Sequence, residues 1–128
     1  FRRSDIVSLH MRLTPETKNS IGAEQLGWMK PTAYLINTSR AGVLDKDAFV
    51  AALQSRSIGG AALDVFWEEP VPADDPLLAL DNLTMTPHTA GNVVDALPKS
   101  PLLLAKVIQD YWAAGRSDMV VNQSALKA

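Results

Sequence analysis

The sequence predicts an α/β fold, a parallel sheet with flanking helices, and three observations carry that prediction. Short β-branched or apolar runs recur at Ile6 to His10, Ala33 to Asn37, Gly59 to Val65 and Leu83 to Thr86. Between them lie segments whose apolar residues follow helical spacing. Three of the runs are followed at once by polar or ionisable residues, in Asn37-Thr38-Ser39-Arg40, in Asp64 to Glu69, and in Thr86-Pro87-His88-Thr89-Ala90-Gly91. Strands that alternate with helices imply parallel pairing with right-handed crossovers, and such sheets bind ligands outside the carboxyl ends of their strands. Arg40, Asp64, Glu69 and His88 all follow strand ends and would meet along one edge.

Each element has a local reason. After the first strand, Thr14-Pro15-Glu16-Thr17 is turn or helix-start chemistry, with proline preset for a first turn. Ala23 to Met29 reads as a short helix stopped by Lys30-Pro31, because the residue before proline is pushed out of the helical region. Asp45 is a capping residue for a helix whose Phe49, Ala52 and Leu53 share one face, ending near Ser55. Gly59 to Val65 is built of small and apolar residues suited to burial on both faces of a sheet. Pro70, Pro72 and Asp74-Asp75-Pro76 make a polar loop with at most one helical turn, over Leu77 to Leu80. Past His88 an irregular stretch with Pro98 and Pro101 leads to a helix from Leu102, with Leu104, Val107, Ile108 and Tyr111 on one face and Gly115 as its stop. The tail from Gln123 is expected to be loose.

With 128 residues, 47% of them hydrophobic, one compact unit is expected. Twelve Lys and Arg against 14 Asp and Glu leave a formal charge of -2, and no basic block exceeds Arg2-Arg3, which argues against nucleic acid as the main partner. No apolar run approaches the roughly 18 residues of a membrane span, so no membrane partner and a cytoplasmic location are the expectation. With no cysteine and only His10 and His88, a disulfide or a His/Cys zinc site is ruled out, and no metal site is assigned. The chain opens at Phe1 and runs straight into a buried-type strand, so it reads as the latter part of something longer.

The residues at the strand ends suggest a chemistry. A histidine held by a carboxylate is a proton-transfer pair, because the negative charge favours the imidazolium; His88 and Glu69 fit. A guanidinium binds a carboxylate through two parallel hydrogen bonds, and Arg40 fits that role. Together they suit hydride transfer at the carbon next to a carboxylate, with a nicotinamide giving or taking the hydride and Asp64 accepting from its carboxamide. Plainer roles stand beside these. His88 could be a loop residue, Glu69 part of a solvated face, Arg40 a partner of some nearby carboxylate, and Asp64 an acceptor for backbone amides in its own turn. His10 is expected to be structural or near a cofactor, and Trp28, Trp67 and Trp112 to be core or interface aromatics, with Trp67 a wall of the pocket beside Glu69.

Ordered blocks along nearly the whole chain resemble the nucleotide-binding domain of the D-isomer-specific 2-hydroxyacid dehydrogenases. They are Ser4 to His10, Leu13 to Thr17, Met29 to Ala33, Ile36 to Arg40, Gly59 to Phe66, Glu69-Pro70 and Asp81 to His88. The resemblance implies the second half of a Rossmann-type doubly wound domain and an enzyme that interconverts a D-2-hydroxy acid and its 2-keto acid with NAD or NADP. It implies that Arg40 binds substrate, Glu69 supports His88, and His88 is the acid/base. It places cofactor contacts at Thr38, Ser39, Arg40, Asp64, His88, Ala90 and Gly91, and it suggests a homodimer.

Departures from the family pattern are Arg12 where proline is usual and Ala41 where glycine is commoner. No G-x-G-x-x-G occurs in these residues, so the diphosphate cradle and the substrate domain are missing from the chain, and Ile6 to His10 is expected at an unpaired edge. Two other functions stay open on the same residues. One is a nucleotide-sensing protein resembling the family's transcriptional corepressors; the other is an inactive fragment that folds only by pairing with another copy.

Overall fold

The computed structural model describes residues 1–115 and 119. Four parallel strands, β1 (Ile6–Leu9), β2 (Tyr34–Asn37), β3 (Gly60–Leu63) and β4 (Leu83–Met85), pair in the order β1-β2-β3-β4, which leaves β1 at one margin of the sheet. The register aligns Leu9 with Asn37 and Asn37 with Leu63, so the carboxyl ends of these strands finish level. Level ends bring the following loops together.

Two helices connect the strands, α1 (Ala23–Gly27) and α2 (Lys46–Gln54), and Asp45 caps α2 by accepting from the Ala48 N–H at 2.9 Å. Phe49, Ala52 and Leu53 of α2 and Leu26 of α1 join Leu9, Leu35, Ala61 and Leu63 in one apolar core. Alternation along the strands sends the other set of side chains to the opposite face, where Ile6 and Tyr34 are exposed and Ile36 and Ala62 partly so. In β3, where burial on both faces was expected, Gly60 on one face and Ala61 and Leu63 on the other are buried and Ala62 is partly so. Gly60 is fully hemmed in: a Cβ there would lie 2.8 Å from the Asn82 carbonyl oxygen and 2.9 Å from the Tyr34 ring.

The expected single unit divides into Phe1–Ala90 and a second unit that begins at Gly91. The Thr86 N–H continues the ladder to the Leu63 carbonyl at 3.0 Å, and beyond it the chain leaves the sheet, the His88 N–H turning back to the Thr86 carbonyl at 2.9 Å. In the second unit α3 (Lys99–Ala114) starts three residues ahead of the expected Leu102, with Pro98 at its cap and Pro101 inside its first turn. Proline fits there because first-turn N–H groups have no helical partner to lose. Gly115 closes α3 in the left-handed region at φ 65°. Trp112 is 83% exposed, which removes the core alternative of the core or interface placement expected for it. The tail from Gln123 lies outside the described residues.

Candidate active site

The loop after β2 is organised from below by Asn37, a fully buried side chain at the strand end. Its Oδ1 accepts from the Ser39 N–H at 3.0 Å and the Ser39 hydroxyl at 2.8 Å, while its amide donates to the Arg40 carbonyl at 2.9 Å. These bonds turn the chain so that Thr38, Ser39 and Arg40 line a cleft of about 450 Å³ with His10, Arg12 and Leu13. Arg40 is exposed, and among the described residues its Nη1 donates only to the neighbouring Ser39 carbonyl, at 2.7 Å. His10 lies within hydrogen-bond distance of Ser8, 2.8 Å from Nε2 to Oγ. Asn37 was not among the expected site residues. An Asn at a strand end ahead of Thr-Ser is nevertheless a turn-forming signal.

Beyond β3 the chain builds the second group. Asp64 is 3% exposed and accepts from the Thr86 hydroxyl and from the N–H groups of Thr89 and Ala90, both at 2.8 Å. These bonds bracket His88, whose backbone sits in the left-handed region at φ 53°. A non-glycine residue there costs on the order of 1 kcal/mol or more and persists only when its surroundings hold it. The plainer reading of Asp64 has it satisfied by amides of its own turn; the amides it accepts from belong instead to the loop after β4. Burial raises its carboxyl, yet the Thr86 hydroxyl, the two amides and the nearby imidazole together hold it below the usual range.

His88 Nδ1 lies 2.8 Å from Glu69 Oε2, with the N–H donating to the carboxylate, and Nε2 bonds to none of the described residues. The other Glu69 oxygen accepts from the Phe66 N–H at 2.9 Å, so the carboxylate is aimed from its own loop. Hydrogen bonding from His88 and then Phe66 lowers the Glu69 carboxyl from its ordinary value. The pair borders a cleft of about 430 Å³ that includes Phe66, Val71, Leu78 and Met85. Trp67 is no wall of that cleft; it turns toward α2 and packs on Phe49.

The structure therefore brings Glu69 to His88 and Asp64 to the segment around His88, and it brings Thr38, Ser39 and Arg40 into a second cleft. Arg40 and His88 line different clefts, and Gly91 falls in the second unit. The anionic, hydroxyl-rich character of a dinucleotide fits the hydroxyl and guanidinium groups of the cleft at Thr38 to Arg40.

Comparison with known proteins places this geometry in a family. Residues 1–90 match the model described as D-isomer specific 2-hydroxyacid dehydrogenase, NAD binding domain. A glyoxylate reductase of Thermofilum pendens is 43% identical over 125 residues, which cover 98% of this chain and 37% of that protein. The chain thus spans little more than a third of such a relative. An NAD-complexed D-isomer specific 2-hydroxyacid dehydrogenase of Lactobacillus delbrueckii superposes with a TM-score of 0.82 at 32% identity, over 94% of this chain and 41% of that one. A family enzyme of Xanthobacter autotrophicus, solved with NADPH and MES, gives a TM-score of 0.81 at 35% identity over 96% and 50% of the two chains. The parallel sheet, the loops at its carboxyl edge and the match over residues 1–90 together establish that the chain belongs to the D-isomer specific 2-hydroxyacid dehydrogenase family, in its NAD binding domain.

Proposed function

We propose that this chain is the second half of the nucleotide-binding domain of an enzyme that interconverts a D-2-hydroxy acid and its 2-keto acid. The observation that carries the reading is the 2.8 Å bond between His88 Nδ1 and Glu69 Oε2 at the carboxyl edge of the sheet. The bond fixes the ring and leaves Nε2 to face a reacting oxygen.

NAD or NADP supplies the hydride acceptor or donor when bound. Arg40 binds the substrate carboxylate, and its exposed guanidinium is unengaged with any carboxylate among the described residues. His88 takes the hydroxyl proton as the alcohol becomes a ketone, and returns it in the reverse direction. Glu69 stabilises the imidazolium that forms. Thr38, Ser39 and Arg40 contact the cofactor from one cleft, and Asp64, His88, Ala90 and Gly91 from the other strand ends. Asp64 acts there chiefly through the segment it holds, since its oxygens already accept from Thr86, Thr89 and Ala90. The working protein is a cytoplasmic homodimer in this reading. These 128 residues alone, without a glycine-rich diphosphate loop, are inactive.

The test is oxidation of NADH or NADPH by glyoxylate, hydroxypyruvate and pyruvate, followed by absorbance in the protein that carries this chain. Turnover of at least one keto acid is expected. Cofactor binding without turnover across the panel points instead to a nucleotide-sensing role.

A further inference from the structure

The segment that carries Glu69 is fastened at both ends to the start of α2. Just ahead of Glu69, the Trp67 ring packs on buried Phe49 with centroids 6.1 Å apart, and its Nε1–H donates to the Leu44 carbonyl at 3.2 Å. Lys46, the first residue of α2, sets its Nζ 5.8 Å above the same ring and 2.6 Å from Asp75 Oδ2. Asp75 closes the far end of the segment: its side chain is 5% exposed, and Oδ1 accepts from the N–H of buried Leu77 at 3.0 Å. Burial works against the Asp75 charge, and the Lys46 ammonium and Leu77 amide outweigh it, holding the carboxyl below the usual range.

Between these two fastenings Glu69 has only the Phe66 N–H as a backbone donor, and it is otherwise open to water. Its aim at His88 therefore depends on where the segment lies. Acid/base groups displaced by about 1 Å lose much of their effect. We propose that Lys46 is a positioning residue for the Glu69–His88 pair, joining Asp75 and the Trp67 ring so that the segment from Trp67 to Asp75 holds Glu69 against the imidazole. No role in binding or chemistry is assigned to Lys46, Trp67 or Asp75 themselves.

The proposal rests on the acid/base reading of His88, so its test uses two readouts in the protein that carries this chain. One is NMR titration of the His88 imidazole, assigned by its loss in His88→Asn; Glu69 and Asp64 are the charged groups that face it. The other is keto acid reduction. Lys46→Met keeps an aliphatic stem under Trp67 and removes the charge. It is expected to move the His88 titration curve to lower pH and to lower kcat roughly 3–10-fold, with cofactor affinity unchanged and with Lys46→Arg restoring both. Asp75→Asn keeps an acceptor for Leu77, reproduces the shift, and adds nothing to Lys46→Met in the double variant. Titration curves that superimpose on the wild type in both single variants overturn the proposal, whatever happens to melting temperature. A shifted titration in a protein that turns over no keto acid contradicts the dehydrogenase reading and leaves the positioning role standing.

Discussion

The two clefts at the carboxyl edge of the sheet are built in opposite ways. At the ends of β3 and β4 every functional side chain has a partner: Asp64 holds the segment around His88, Glu69 holds the imidazole, and the Phe66 amide holds Glu69. At the end of β2 the backbone is just as firmly organised by Asn37, but among the described residues the Arg40 guanidinium reaches only the adjacent carbonyl. A proton-transfer pair must be in place before the substrate arrives, because its geometry sets the rate. An anion clamp gains its bond from the ligand itself, so its unspent donors are the functional feature.

That contrast orders the expected effects. The largest belongs to the wired side: His88→Asn keeps the ring's polarity and roughly its size, removes the proton carrier, and should lower kcat by about 10²–10⁴-fold with little change in KM, read by steady-state kinetics. On the open side, Arg40→Ala should act mainly on KM for the keto acid, raising it by about 10–100-fold for the loss of a charge-assisted bond. A fall in kcat alone would show that the guanidinium works on the reacting carbon and not on the carboxylate.

Asp64→Ala deprives the Thr86 hydroxyl and the Thr89 and Ala90 amides of their common acceptor. Unfolding by urea should show a loss of about 2 kcal/mol, water replacing part of what is removed, and kcat should fall as the strained His88 backbone relaxes. The smallest effect is that of pH on stability. Asp64 and Asp75 are both held below ordinary carboxyl values, burial opposing and their donors prevailing. Their contribution is complete above the ordinary value of about 3.9 and is lost as pH falls through the lowered ones. Melting temperature should therefore hold steady from neutral pH down to about 5 and drop below about 4, and Asp64→Asn should flatten that drop.

Much of this was legible in the residues. The strands and their parallel pairing, the Asp45 cap and the Glu69–His88 pairing follow from signals in the residues: apolar runs alternating with helical spacing, a capping aspartate, and ionisable residues placed at strand ends. Asn37 escaped notice because its work is done by a side chain folded back under its own loop, which a search for exposed chemistry passes over. The link between Lys46 and Asp75 escaped it for another reason: the two are far apart in sequence, and only the packing of α2 against the loop makes them neighbours.

The central claim is that Glu69 makes His88 an acid/base group, and the pH dependence of kcat/KM for keto acid reduction in Glu69→Gln tests it most directly. Glutamine keeps an acceptor for the Phe66 N–H and removes the charge that favours the imidazolium. Reduction needs the protonated ring, so the falling limb on the alkaline side should move to lower pH, with cofactor affinity unchanged. A profile that superimposes on the wild type would contradict the account and make Glu69 a loop residue beside a histidine that works alone.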